Sequence, residues 1–122
     1  MQQKNVDPAI GKGQQTMGDI APRLAQLTDE VLFGDIWQRP GLPKRERSLI
    51  TVATLVALNR SEQLPFHLQR AIDNGVTPAE LVELVTHLAF YSGWPTAASA
   101  VTALKAMPQF GGTLTSTQNQ PK

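Results

Sequence analysis

The tightest constraint on this chain is the segment Asn74-Gly75-Val76-Thr77-Pro78-Ala79-Glu80, which ends one helix and begins the next. Glycine takes the left-handed backbone conformation without a Cβ penalty, so Asn74-Gly75 reads as a helix C-terminus. Thr77 supplies a capping oxygen, Pro78 occupies the first helical position, where its missing N–H costs nothing, and Glu80 completes a capping box. Two helices joined this closely pack back to back. The first carries His67 and the second His87, and on neighbouring helices the two imidazoles are placed to face one pocket.

The same kind of punctuation divides the rest of the chain into helices. Leu24, Leu27, Val31 and Leu32 fall at helical spacing in a first helix over about 21–36. The Arg39-Pro40-Gly41-Leu42-Pro43 turn leads into a second over about 44–59. A third covers about 62–74, a fourth about 78–92, and a fifth about 95–107, broken from the fourth at Gly93-Trp94-Pro95 and stopped by Pro108. Residues 1–18 read as a loose arm and 109–122 as a polar low-complexity tail, leaving a helical domain over 19–108. No strand-like alternation bounded by hairpin turns occurs, so the fold class is all-α, a bundle of about five to six helices. Residues 49–58 are apolar nearly all round. A chain of 122 residues struggles to cover such a helix on every side, which predicts an oligomer; a helix central in a monomeric bundle is the alternative.

Composition narrows the function by exclusion. The net charge of +1 offers nothing to nucleic acid or an anionic membrane surface, and the apolar run is too short to span a bilayer. The first fifteen residues lack the apolar segment of a signal peptide, so a cytoplasmic protein is expected. Without cysteine there is no disulfide, thiolate metal site or thiol nucleophile. No metal site is expected from two histidines lacking a third ligand, and no phosphate-binding loop, dinucleotide fingerprint or serine-nucleophile elbow occurs.

What remains is a set of histidines and arginines. His67 lies between Phe66 and Leu68, where a histidine serves either as a buried structural residue or as an acid–base group. Glu83, His87 and Tyr91 follow one another at spacing of four along one helix stripe, either a pocket wall or a solvated edge. Arg39, Arg45, Arg47, Arg60 and Arg70 supply guanidinium groups, whose geometry suits bidentate carboxylate recognition. These residues support a small acid-binding pocket with histidine acid–base capacity.

Five blocks carry a resemblance: Trp37-x-Arg39-Pro40-Gly41-Leu42, Arg47-Ser48-Leu49-Ile50-Thr51, His67-Leu68, Asn74-Gly75-Val76-Thr77 and Tyr91-Ser92-Gly93-x-Pro95. In this order and spacing, over about residues 20–105, the chain resembles the carboxymuconolactone decarboxylase family. The resemblance implies a helical subunit of the alkyl hydroperoxidase D-like fold, assembled into homo-trimers or hexamers. The peroxidase branch carries a Cys-x-x-Cys whose positions here hold Arg60 and Gln63, and thiol chemistry is thereby excluded. The other branch is the decarboxylase of aromatic catabolism, which uses no cofactor and converts 4-carboxymuconolactone to its enol-lactone.

By that resemblance His67 and Arg47 are the catalytic residues, His67 handling the proton and Arg47, with Arg39, holding carboxylate and oxyanion. Trp37, Arg39, Ser48, Arg60, His87 and Tyr91 are the substrate-binding residues. Gln63 departs from the decarboxylase's acidic residue, and His87 with Trp94 fits a separate subgroup with Thr-His-Leu-Ala-Phe-Tyr-x-Gly-Trp-Pro. Another small acid or lactone as substrate, or a non-catalytic helical oligomer, are the alternatives.

Overall fold

The computed structural model describes residues 6–112, in which helices are the only regular elements. The chain divides into two compact units, Met1–Lys44 and Arg45–Lys122.

The first unit contains α1 (Lys12–Met17), α2 (Pro22–Gln26), a π-helical stretch over Leu27–Phe33 and a 3-10 turn over Ile36–Gln38. The sequence predicts a loose arm for residues 1–18, but residues 6–18 are built into this unit. The N-terminus of α1 has no side-chain cap of its own. Asp29 supplies one from the π-helical stretch, accepting from the Gly13 N–H at 2.8 Å and the Gln14 N–H at 3.0 Å. Gly13 is required there: a Cβ would lie 2.7 Å from the Ala25 carbonyl oxygen and 2.8 Å from Thr28 Cβ. Asp7, also buried, accepts from the Ala9 N–H and from Gln38 Nε2, both at 2.9 Å. Ala9, Phe33 and Trp37 form a small apolar cluster.

The single helix expected over 21–36 is therefore interrupted. Ala25 of α2 and Phe33 at the end of the π stretch are buried, while Leu24, Leu27, Val31 and Leu32 are exposed. The apolar stripe read from the sequence is not this unit's core.

The second unit holds α3 (Lys44–Ala57, whose first residue closes the first unit), α4 (Leu64–Asp73), α5 (Pro78–Ser92), α6 (Trp94–Lys105) and a 3-10 turn over Pro108–Phe110. With α1 and α2 this makes six α-helices among the described residues, as expected for the class. The core comprises Val52 and Val56 of α3, Leu64 and Leu68 of α4, Leu81 and Val85 of α5, and Ala100 and Leu104 of α6, among others. Leu68 is fully buried, so truncation to Ala would cost roughly 2–5 kcal/mol.

The punctuation at 74–80 forms as read. Gly75 has φ of 100°; its N–H bonds the Ile72 carbonyl at 3.0 Å, and the N–H of buried Val76 bonds Ala71 at 2.9 Å. The Thr77–Glu80 capping box is complete in both directions. α3 ends two residues earlier than its apolar pattern suggests, because Asn59 adopts φ of 57° and the Arg60 N–H turns back to the Leu55 carbonyl at 2.8 Å. Within this single chain α3 buries Ser48, Val52 and Val56 and leaves Ile50 and Leu58 exposed. The polar tail begins later than expected, since Phe110 packs on the core; the rest of that segment, 113–122, lies outside the described residues.

Candidate functional site

α4 turns its apolar stripe, Leu64, Leu68 and Ala71, into the core, and Arg70 is buried with it at 7% exposure. His67 lies three residues before Arg70, within one helical turn, and is half-buried. The Phe66 ring meets its imidazole edge-on, with centroids 4.9 Å apart. Burial pushes the imidazole down to about 4 from an ordinary value of 6.5, and the nearby Arg70 guanidinium adds to the shift. At neutral pH His67 is thus an uncharged imidazole, donor at one nitrogen and acceptor at the other, beside a fixed positive charge.

The second group lines an open groove of about 390 Å³ between α3 and α5. Leu49 and Ala53 of α3 meet Leu84 and Leu88 of α5 in its apolar floor, and Arg45, Glu80, Glu83 and His87 stand around it. Arg45 is ion-paired to Glu80 and lies 3.7 Å from Glu46. Glu80 works twice, since its Oε1 accepts the Thr77 N–H at 2.9 Å while its Oε2 accepts from Arg45. The Thr77 backbone bond, then Arg45, holds this carboxyl below the usual carboxylate range. His87 stacks on Tyr91, centroids 4.9 Å apart and rings tilted by 29°, so the predicted stripe exists and is exposed. His87 lines this groove and His67 does not.

The remaining residues named from the sequence are dispersed. Ser48 is buried at 1% exposure and accepts from Asn74 Nδ2 at 3.0 Å, tying α3 to the end of α4. Arg47 is half-buried on α3, and Arg60 is exposed in the α3–α4 connection. In the first unit, Trp37 is buried against Phe33, with ring centroids 6.4 Å apart, and Arg39 is exposed just after the 3-10 turn. Sequence reasoning gave no specific role to Arg70 or Arg45. Arg70 left a usable signal, because it falls one turn after His67 and directly before core residue Ala71. Arg45 left none, because Glu80 is 35 residues away. Among the described residues no group of three or more His, Asp or Glu side chains could hold a metal ion, and no helix is long and apolar enough to cross a membrane.

Comparison with known proteins gives a consistent picture. A family model described as the carboxymuconolactone decarboxylase family matches residues 22–106. The chain is 36% identical over 92 residues to a 4-carboxymuconolactone decarboxylase of Acinetobacter baylyi, spanning 75% of this chain and 69% of that protein. It is 40% identical over 76 residues to the nitrosuccinic acid decarboxylase npaB of Metarhizium robertsii, spanning 62% of this chain and 53%, about half, of that relative.

Proposed function

Because this chain belongs to the carboxymuconolactone decarboxylase family, we propose that it is a cofactor-independent carboxy-lyase acting on a small carboxylated lactone, such as 4-carboxymuconolactone, or on a related small acid. The acids in the two relatives' names share a chemical logic. In each, one carboxyl group sits on a carbon whose electron pair can pass to an oxygen, through the double bond to the lactone carbonyl in one and to the nitro group in the other. Each also keeps a second carboxylate. The carbon–carbon bond breaks, carbon dioxide leaves, the electron pair moves to that oxygen, and one proton, ultimately from water, is added at carbon. A substrate that is its own electron sink asks two things of the protein: a positive or hydrogen-bonding site for the developing oxyanion, and a group that relays a proton.

The single observation that carries this reading is the neutral, half-buried His67 beside the buried Arg70 on α4. A fixed guanidinium favours the substrate anion and the developing oxyanion. A neutral imidazole can give its N–H proton to carbon while accepting one from water at the other nitrogen. Within the same unit, Arg47 is retained as a carboxylate-binding residue, and Ser48, Arg60 and Tyr91 as residues shaping the site. The groove between α3 and α5 suits an acid poorly: its lining sets one arginine against the carboxylates of Glu80 and Glu83, with Glu46 close behind. His87 accordingly serves as a boundary residue rather than as a carboxylate receptor. The chain is further proposed to work as a homo-oligomer, a trimer or hexamer.

Carbon dioxide release measured with 4-carboxymuconolactone, nitrosuccinic acid and a panel of small dicarboxylic acids tests this. Turnover of at least one is expected; a folded, assembled protein that releases none from the whole panel is not a decarboxylase of this class.

A further inference from the structure

The end of α5 and the start of α6 present Phe90, Tyr91 and Trp94 at 73%, 78% and 63% exposure. Phe90 and Trp94 meet edge to face, centroids 5.0 Å apart and rings at 71°, and form the wall of an open groove of about 270 Å³ between the two helices. Its floor is apolar and closely packed: Val85, Ala89 and Ala97 are all buried. Val82 and Val101, at 44% each, extend the apolar surface along both helices. Aromatic side chains bury about 150–250 Å² each, so at these exposures Phe90 and Trp94 alone leave roughly 200–350 Å² open. With Val82 and Val101 beside them, this is a substantial share of the ~800 Å² per partner in a standard protein–protein interface. Trp, Tyr and Phe are also the residues enriched at interface centres.

We propose that this α5–α6 face is where a second copy of the chain docks, with the Phe90–Trp94 pair at the centre of the contact. The inference rests on the assembly part of the reading above and names its surface. Two observations favour a second copy over other occupants. A membrane-binding face carries lysine and arginine at its rim, whereas α5 has Glu80 and Glu83 as its charged residues and α6 has Lys105 in its last turn. A foreign protein covering α5 and α6 would leave α3 unexplained. There Ile50, Thr54, Ala57 and Leu58 form a second exposed stripe at helical spacing, with Ile50 at 54% and Leu58 at 57%. A closed symmetric assembly covers several apolar faces at once, because each copy offers every face to a neighbour.

The test is light scattering on the full chain at micromolar concentration, beside Phe90→Ser, Trp94→Ser and the double variant. The wild type is expected at a multiple of its 13.3 kDa mass. The double variant is expected to dissociate, or to need at least tenfold more protein to assemble, with its helical circular dichroism retained. A wild-type oligomer whose variants assemble unchanged overturns this face and leaves the assembly standing. A monomeric wild type overturns both, and a monomer that sediments with phosphatidylcholine vesicles assigns the patch to lipid instead. Should the variants fail to fold, wild-type tryptophan emission on dilution decides. Trp37 is buried at 5% exposure, so a red shift on dissociation reports Trp94 leaving an interface, and dissociation without a shift overturns the proposal.

Discussion

Two histidine–arginine groupings occur in the second unit, and their surroundings are opposite. On α4, His67 is half-buried and Arg70 is buried beside it, so the local charge is positive and the imidazole neutral. Between α3 and α5, Arg45 is held by Glu80 and approached by Glu46, Glu83 adds a further carboxylate, and the groove is open to water. The same two residue types make a partly buried, positively charged pair in one place and a neutralised surface cluster in the other. Burial and neighbouring charge decide between them; residue identity alone does not.

The largest expected effect follows from removing the α4 imidazole. His67→Ala should lower turnover by about 10²–10⁴-fold, the usual worth of a proton-transfer group, while gel filtration and circular dichroism stay near wild type. Unchanged turnover with a lowered melting temperature would instead make His67 a packing residue and collapse the contrast. Arg70→Met, which keeps much of the volume and removes the charge, should cost about 10–100-fold in kcat/KM, from the 1.5–3 kcal/mol typical of a charged hydrogen bond. It should also raise the His67 pKa in an imidazole NMR titration, and Arg70→Lys should restore most of that shift. A His67 titration indifferent to both substitutions would show that Arg70 acts only through packing.

Acid stability gives a sharper version of the same test. His67 titrates near 4 when folded, against an ordinary value of 6.5. Above about pH 6.5 both folded and unfolded forms are neutral there and the contribution to stability is complete. As the pH falls from 6.5 towards 4 the unfolded chain takes up the proton first, so stability declines, and the loss from this group is complete below about 4. Melting temperature should therefore fall over that window in the wild type and fall less steeply in His67→Gln. For the same reason the acid limb that His67 contributes to kcat/KM, which reports the free enzyme, belongs near pH 4; a limb near 6.5 would mean that His67 acts as an ordinary exposed imidazole. The smallest effects belong to the groove: Glu83→Gln and His87→Ala should change kcat/KM by less than about threefold, well under one neutral hydrogen bond's upper worth. A loss of a hundredfold would move the chemistry from α4 into the groove.

What could be read from the sequence depended on how local its cause is. The end of α4 and the start of α5 were legible because Gly75, Thr77, Pro78 and Glu80 act within a few residues of one another. The first unit was not, because α1 is capped by Asp29 from 15 and 16 residues away and Asp7 is tied to Gln38 across 31. For the site, the sequence placed His67 and His87 on neighbouring helices facing one pocket, which they do not share. Their difference lies in burial and in Glu80, which meets Arg45 only after α3 and α5 have packed.

The π-helical stretch over Leu27–Phe33 has a consequence for how this family's chains can vary in length. Such a stretch carries more residues per turn than an α-helix, so it stands as a stored insertion: deleting one residue would let it relax into ordinary α geometry without breaking the helix. The wider turns advance by fewer degrees per residue, so losing one residue and returning to about 100° per residue leaves the downstream chain at nearly the same rotation about the axis. Phe33 would keep its place in the cluster with Ala9 and Trp37. A one-residue gap here is thus absorbed locally, and a homologue lacking the residue would still present the same face downstream.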